Sequence, residues 1–163
     1  MFRGQFAATG RLMIQETVAV AADHAGFPLK EILKGELAAR GFKVLDLGTD
    51  GPASVDYPDY ADRLADGLKR GEARRGVVVC GTGIGISIAA NRHPHVRAAL
   101  CHDATGARLA RQHNDANVLA LGARVIGEEV ARECLRVFLD TPFEGGRHEK
   151  RVAKLSRSAC PVT

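Results

Sequence analysis

Apolar and polar positions along the chain follow two rhythms. Short unbroken apolar runs, rich in valine and alanine, are separated by longer stretches in which apolar residues recur every three or four positions. The runs "TVAVAAD" (17–23), "KVLDLG" (43–48), "GVVVCG" (76–81), "VRAALC" (96–101) and "NVLALG" (117–122) predict five strands. Between them the helical rhythm predicts helices over 28–40, 57–71, 84–91, 104–112 and 128–139, with a last one in "GGRHEKRVAKLSRS" (145–158). Gly41 ends the first helix, Pro58 opens and Gly71 closes the second, and Thr141-Pro142 stops the fifth. Strands that are apolar throughout are buried on both faces, as in a parallel sheet. Strict alternation of strand and helix then predicts an α/β fold: a Rossmann-like three-layer αβα sandwich with a five-stranded parallel sheet. With 163 residues the chain makes one domain. We expect it to span 17–156, with 1–16 as a flexible N-terminal tail and 157–163 as a C-terminal tail.

In open sheets of this kind a ligand sits beyond the carboxyl ends of the strands. Those ends are Asp23-His24, the segment 48–57, the segment 80–85, Cys101-His102-Asp103 and the segment 122–124, where polar and reactive residues gather.

The net charge of +4 invites a nucleic-acid reading until the charges are placed. Between Val18 and Asp140, Lys and Arg equal Asp and Glu in number, so the excess is terminal, most of it in 141–163. A polyanion needs a stripe along the body; a small anion is enough here. No nucleic-acid partner and no membrane partner is expected. The N-terminus is a poor secretory signal and no apolar run reaches the length of a membrane span, so the expected location is cytoplasmic. The four cysteines show neither CxxC nor metal spacing. Cys134 falls on a helical pattern and reads as core, Cys160 lies in the C-terminal tail, and Cys80 and Cys101 each close a strand.

The stretch "VVVCGTGIGIS" (77–87) places a thiol at the mouth of a glycine loop. A dinucleotide fingerprint needs a third glycine where Ile86 stands, and it follows the first strand rather than the third, although Asp103 lies at a suggestive distance. A Walker loop lacks its Gly-Lys-Ser/Thr, and a thiol phosphatase would need arginine at Ile86. Physically, the loop offers backbone amides close to a ligand and the start of a helix, an arrangement that cradles an oxyanion and favours a thiolate. A base beside an oxyanion pocket is what proton abstraction next to a carbonyl requires. The bland reading, a buried cysteine followed by a tight turn, stands beside it.

Two other clusters bear on that choice. Arg147 and Arg151 in "EGGRHEKRV" are spaced i, i+4, which suits a phosphate clamp or a solvated basic face. His113-Asn114 in "RQHNDAN" sits among polar residues, a poor setting for a core histidine and a fair one for a proton shuttle. Arg124 lies just past the fifth strand. His93-Pro94-His95 reads as a surface turn, His102-Asp103 as one step removed from a ligand, and Tyr57 as either a pocket wall or a brace for the turn before Pro58.

"DHAG", "DYPDYA", "CGTGIGISIAAN", "RQHNDAN" and "EGGRHEKRV" occur in this order, and together they resemble the type B ribose-5-phosphate isomerase family, which also holds allose- and galactose-6-phosphate isomerases. The resemblance runs from about Thr17 to Ala153. It implies an aldose–ketose isomerase without metal or cofactor, working through a cis-enediolate. By that resemblance Cys80 is the base, with Thr82 and the segment Gly81, Gly83, Ile84 and Gly85 holding the enediolate oxygens. His113 opens the furanose ring with Asn114 beside it, Asp23 and His24 hold the sugar, and Arg124, Arg147 and Arg151 take the phosphate. One branch of the family carries a glutamate base just after the last loop glycine; Ile86 stands there, leaving Cys80. Relatives place the site between subunits, so a homodimer or tetramer is expected. Ribose 5-phosphate is the first choice of substrate; allose 6-phosphate, galactose 6-phosphate or a non-catalytic binding module are the alternatives.

Overall fold

The computed structural model describes residues 15–157. Five parallel strands, β1 (Thr17–Ala22), β2 (Lys43–Asp46), β3 (Arg75–Cys80), β4 (Ala98–Leu100) and β5 (Val118–Gly122), form one sheet in the order β2-β1-β3-β5-β4. The helices are α1 (Phe27–Ala39), α2 (Tyr57–Lys69), α3 (Ile84–Ala90), α4 (Ala104–Asn114), α5 (Glu128–Asp140) and α6 (Glu149–Leu155).

The period-two pleat sorts the apolar strand residues onto two faces. Val18, Val20, Val77, Val79, Leu119 and Leu121 pack with Leu33 and Leu37 of α1 and Leu135 and Phe138 of α5. Ala19, Ala21, Val78, Cys80, Val118 and Ala120 pack instead with Leu64 of α2 and Ile86 of α3. Small alanines on the second face let α2 and α3 lie close. The expected three-layer sandwich is what forms.

Three local differences from the sequence reading have plain causes. β4 is three residues long rather than six, because the Asn117 side chain takes the Arg97 amide (2.7 Å) before the ladder begins. α4 runs on through Asn114, so His113 lies in its last turn and Asp115, at φ 45°, ends it. The last helix starts later than 145: Gly145 and Gly146 sit at φ 68° and 55°, outside helical space, and a 3-10 turn (Gly146–His148) leads into α6. The expected flexible tail falls largely on 1–14, and Cys160 on 158–163, both outside the described residues. Of the described residues, Glu16 receives two hydrogen bonds from the Arg75 guanidinium (2.8 and 2.7 Å).

Candidate active site

β1 leads by way of α1 outward to β2, while β3 lies on the other side of β1, so the chain reverses direction between β1 and β3. A crevice opens at the carboxyl ends of such a strand pair. Asp23 leaves β1 there, buried, and its Oδ1 accepts from the Gly26 amide (2.9 Å). His24 follows. Both main-chain polar groups of Val55 reach His24 Nδ1, the amide nitrogen at 3.2 Å and the carbonyl oxygen at 3.3 Å. The loop after β2 thereby holds the histidine that follows β1.

Across the crevice β3 ends in Cys80, 4% exposed. Gly83, at φ 77°, turns its amide back so that N–H donates to Cys80 Sγ (3.1 Å). A side chain there would also put its Cβ 2.5 Å from Leu100 Cδ1. Thr82 is exposed and its Oγ1 accepts from the Ile84 amide (3.2 Å). The Tyr57 ring covers Gly85, its Cζ 2.7 Å from where a Cβ would stand. Tyr57 thus lies against the glycine loop. Arg124 is tied in from β5: its amide donates to Gly81 O (2.9 Å), Ala123 N–H donates to Cys80 O (2.9 Å), and its Nη1 lies 3.2 Å from the Cβ position of Gly81. Asp23, His24, Cys80, Thr82, the loop glycines, Ile84 and Arg124 therefore share one edge of the sheet, with a thiol facing an amide and a guanidinium at the rim.

His113, Asn114, Arg147 and Arg151 do not join them. α4 begins at the carboxyl edge, where Asp103 Oδ1 caps it by accepting from Gly106 N–H (2.7 Å). Its eleven residues span about 16 Å. His113 and Asn114 are thus delivered to the opposite, amino edge, just before β5 begins. Asn114 lines a cavity of about 420 Å³ there with Asn91, Val96, Arg97 and Leu155. The segment from Glu144 to Arg151 packs at the same end: Glu144 N–H donates to Gln112 O (3.1 Å).

A residue that the sequence reading passed over stands at the centre of this second group. His148 is 6% exposed and stacks on His113, ring centroids 4.4 Å apart and planes 13° from parallel. Arg147 Nε–H donates to His148 Nε2 (3.4 Å), and Glu144 Oε2 lies 3.7 Å from it. Burial, then the neighbouring His113, Arg147 and Arg151, hold the His148 pKa below its ordinary value, with Glu144 opposing. Among the described residues His113, Glu144 and His148 bring three potential donor atoms within 4.8 Å of one another. Nε2 of His148 is already engaged by a guanidinium, so this trio reads as an ionic and stacking cluster. The signal in the sequence was slight: a histidine between basic residues looks like part of a solvated face.

Other candidates settle into structural parts. Asp103, the suggestive acid, is a helix cap. His93 Nε2 pairs with Asp62 Oδ1 (2.7 Å) and His95 Nε2 meets Ala65 O (2.7 Å), so the His-Pro-His turn is pinned to α2. A cleft of about 910 Å³ also lies at the amino edge, where Arg75 is paired with Glu16, and Arg97 and Arg111 with Asp115. Among the described residues no helix is long and apolar enough to cross a membrane.

Residues 18–155 match the model of a family described as Ribose/Galactose Isomerase. The chain is 45% identical over 139 residues to the ribose-5-phosphate isomerase B of Escherichia coli (strain K12), covering 85% of this chain and 93% of that protein. It is 44% identical over 141 residues to the D-erythrulose-4-phosphate isomerase of Pectobacterium atrosepticum, covering 85% and 92%. Among solved structures, the ribose 5-phosphate isomerase of Thermotoga maritima superposes with a TM-score of 0.85 at 50% identity, over 86% of this chain and 97% of that one.

Proposed function

The chain belongs to the ribose/galactose isomerase family and is an aldose–ketose isomerase, and we propose that it interconverts ribose 5-phosphate and ribulose 5-phosphate, with Cys80 as the base. The observation that carries this reading is the Gly83 amide donating to Cys80 Sγ at 3.1 Å in the β1/β3 crevice. Once the aldehyde is open, the Cys80 thiolate takes the proton from C2. The electron pair moves into a cis-enediolate, whose oxygens are held by the Thr82 hydroxyl and the amides of the 81–85 loop. The O2 proton passes to O1 across the cis-enediolate, and Cys80 returns the carbon-bound proton to C1, leaving the ketone at C2. C1 is reduced as C2 is oxidised within one molecule, so the step needs no external oxidant or reductant. His24 and Asp23 hold the sugar from the β1 side.

Ring opening belongs to His113 in this reading, with Asn114 beside it. His113 gives a proton to the ring oxygen O4 as the C1–O4 bond breaks, and recovers one from the anomeric hydroxyl. Arg147 and Arg151 bind the phosphate, with Arg124 contributing from the Cys80 edge. Since Cys80 and His113 stand at opposite edges of one sheet, the complete site takes its two halves from two copies of the chain. Ile84 and Ile88, 51% and 63% exposed one turn apart on α3 beside the loop, give such a pair an apolar face to bury.

The test is an assay of ketose formation from ribose 5-phosphate, with allose 6-phosphate and erythrose 4-phosphate in parallel. Preference for the pentose and its loss in Cys80→Ala support the reading. Preference for either other sugar reassigns the substrate within the family, and full turnover by Cys80→Ala removes Cys80 as the base. Arg147→Ala and Arg151→Ala should each raise KM roughly tenfold, with kcat changed less, as loss of a charge-assisted phosphate contact requires.

A further inference from the structure

We propose that His148 is a positioning residue for His113, its buried imidazole fixing through the 4.4 Å stack the one orientation in which His113 exchanges protons with the sugar ring. The inference rests on the assignment of ring opening to His113.

His113 needs such a support. It stands in the last turn of α4, half-buried, and among the described residues no hydrogen bond holds its ring. A side chain at a helix end with two rotatable bonds would otherwise sample several orientations, and proton transfer tolerates little misplacement. His148, by contrast, is held from several directions. Its amide donates to Gly145 O (3.1 Å), its Nε2 accepts from Arg147 Nε, and the Glu144 carboxylate lies alongside. The segment itself is anchored one residue from His113 by the Glu144 amide on Gln112 O. Gly145 and Gly146, both at positive φ, make the turn that folds His148 back onto α4. In this light the paired glycines serve the histidine that follows them as much as the arginines.

Charge points the same way. The groups facing His148 are His113 from α4, Glu144 from the preceding loop, Arg147 from its own turn and Arg151 from α6. Burial and three of these four disfavour a charge on His148. The ring that His113 rests on is then uncharged, and a neutral aromatic face accepts a cationic partner where a second cation would repel it.

The experiment separates ring opening from enediolate chemistry. Ribulose 5-phosphate cannot close to a furanose, because its C5 oxygen carries the phosphate. Uptake of solvent deuterium at its C1 in D2O therefore reports the Cys80 step alone, while turnover of ribose 5-phosphate reports both steps. His148→Ala should slow kcat for ribose 5-phosphate about 10- to 100-fold and leave deuterium uptake by ribulose 5-phosphate within about twofold. His148→Phe, which keeps a flat ring in the stack, should retain most of the pentose activity. A parallel fall of both rates, no fall in either, or His148→Phe as slow as His148→Ala would each overturn the proposal. His113→Ala run in the same two assays tests the underlying assignment separately: it must lose pentose turnover and keep deuterium uptake, or ring opening does not belong to His113.

Discussion

Cys80 ends β3 and Cys101 follows directly on β4; both are buried, yet they occupy opposite chemical situations. After Cys80 the chain turns through Gly83 and brings an amide onto the sulfur. After Cys101 it starts a helix at once, and the cap of that helix, Asp103, takes the Gly106 amide. The Cys101 thiol is left to the carbonyl of Ala99 (3.6 Å), and burial, with Cys134 and Asp103 nearby, pushes its pKa up to about 12. Position in the sheet reinforces the contrast. β3 is the central strand and borders the crevice beside β1, whereas β4 is an edge strand. A cysteine at a strand end thus acquires its chemistry from the next four residues and from its strand's place in the sheet.

The most direct way to break this comparison is to remove each sulfur. Cys80→Ala should lower kcat at least 10²- to 10⁴-fold, roughly the contribution of a positioned acid or base, while substrate binding measured by calorimetry stays within a few-fold. Cys101→Ala should leave kcat unchanged and cost about 1 kcal/mol of stability in a urea titration. Equal losses of activity would end the distinction. Sharper still is Gly83→Ala, which keeps the Cys80 sulfur and disturbs only the turn. A left-handed alanine and a Cβ against Leu100 should shift the loop and cost on the order of 10²-fold in kcat, the scale of one lost oxyanion donor.

A mixture of two inactive variants tests whether the two edges meet across copies. Cys80→Ala and His113→Ala, unfolded and refolded together, should regain about a quarter of wild-type activity, since half of randomly paired dimers carry one intact site of two. Activity that stays at the level of the separate variants would place both residues in one chain's site. The mildest effect concerns labelling. Cys101 stays protonated through pH 10, so iodoacetamide at pH 8 to 9 should leave it unmodified in the native protein, as read by peptide mass mapping. Labelling of Cys80 should proceed faster and be blocked by ribose 5-phosphate.

The elements were legible because each rests on local chemistry: apolar runs for the strands, Pro58 and Gly71 bracketing α2, the glycines marking the loop. The group at the carboxyl edge was legible too, since a parallel sheet puts every strand's exit on one side. What could not be read is anything that depends on which strands become neighbours. α3 carries the chain past the slot that β5 later fills, so β4 lands at the rim, and no local pattern announces that. For the same reason the length of α4, which sends His113 to the far edge, had no visible meaning while the fold was a string of elements. His148 was hidden because its role arises only when two positive-φ glycines fold it against a helix that ended thirty-odd residues earlier.

The strand exits also touch one another through bare backbone. A Cβ at Gly26 would stand 2.4 Å from Val79 O, and one at Gly122 would stand 2.4 Å from Thr82 O. For a lineage drifting toward a new sugar, these junctions are locked: any side chain pries the loops apart before it can change selectivity. The segment 50–56, mostly exposed and tied to the crevice mainly at Val55, carries no such lock. Innovation in substrate range should accumulate there, while the glycine junctions stay monotonous.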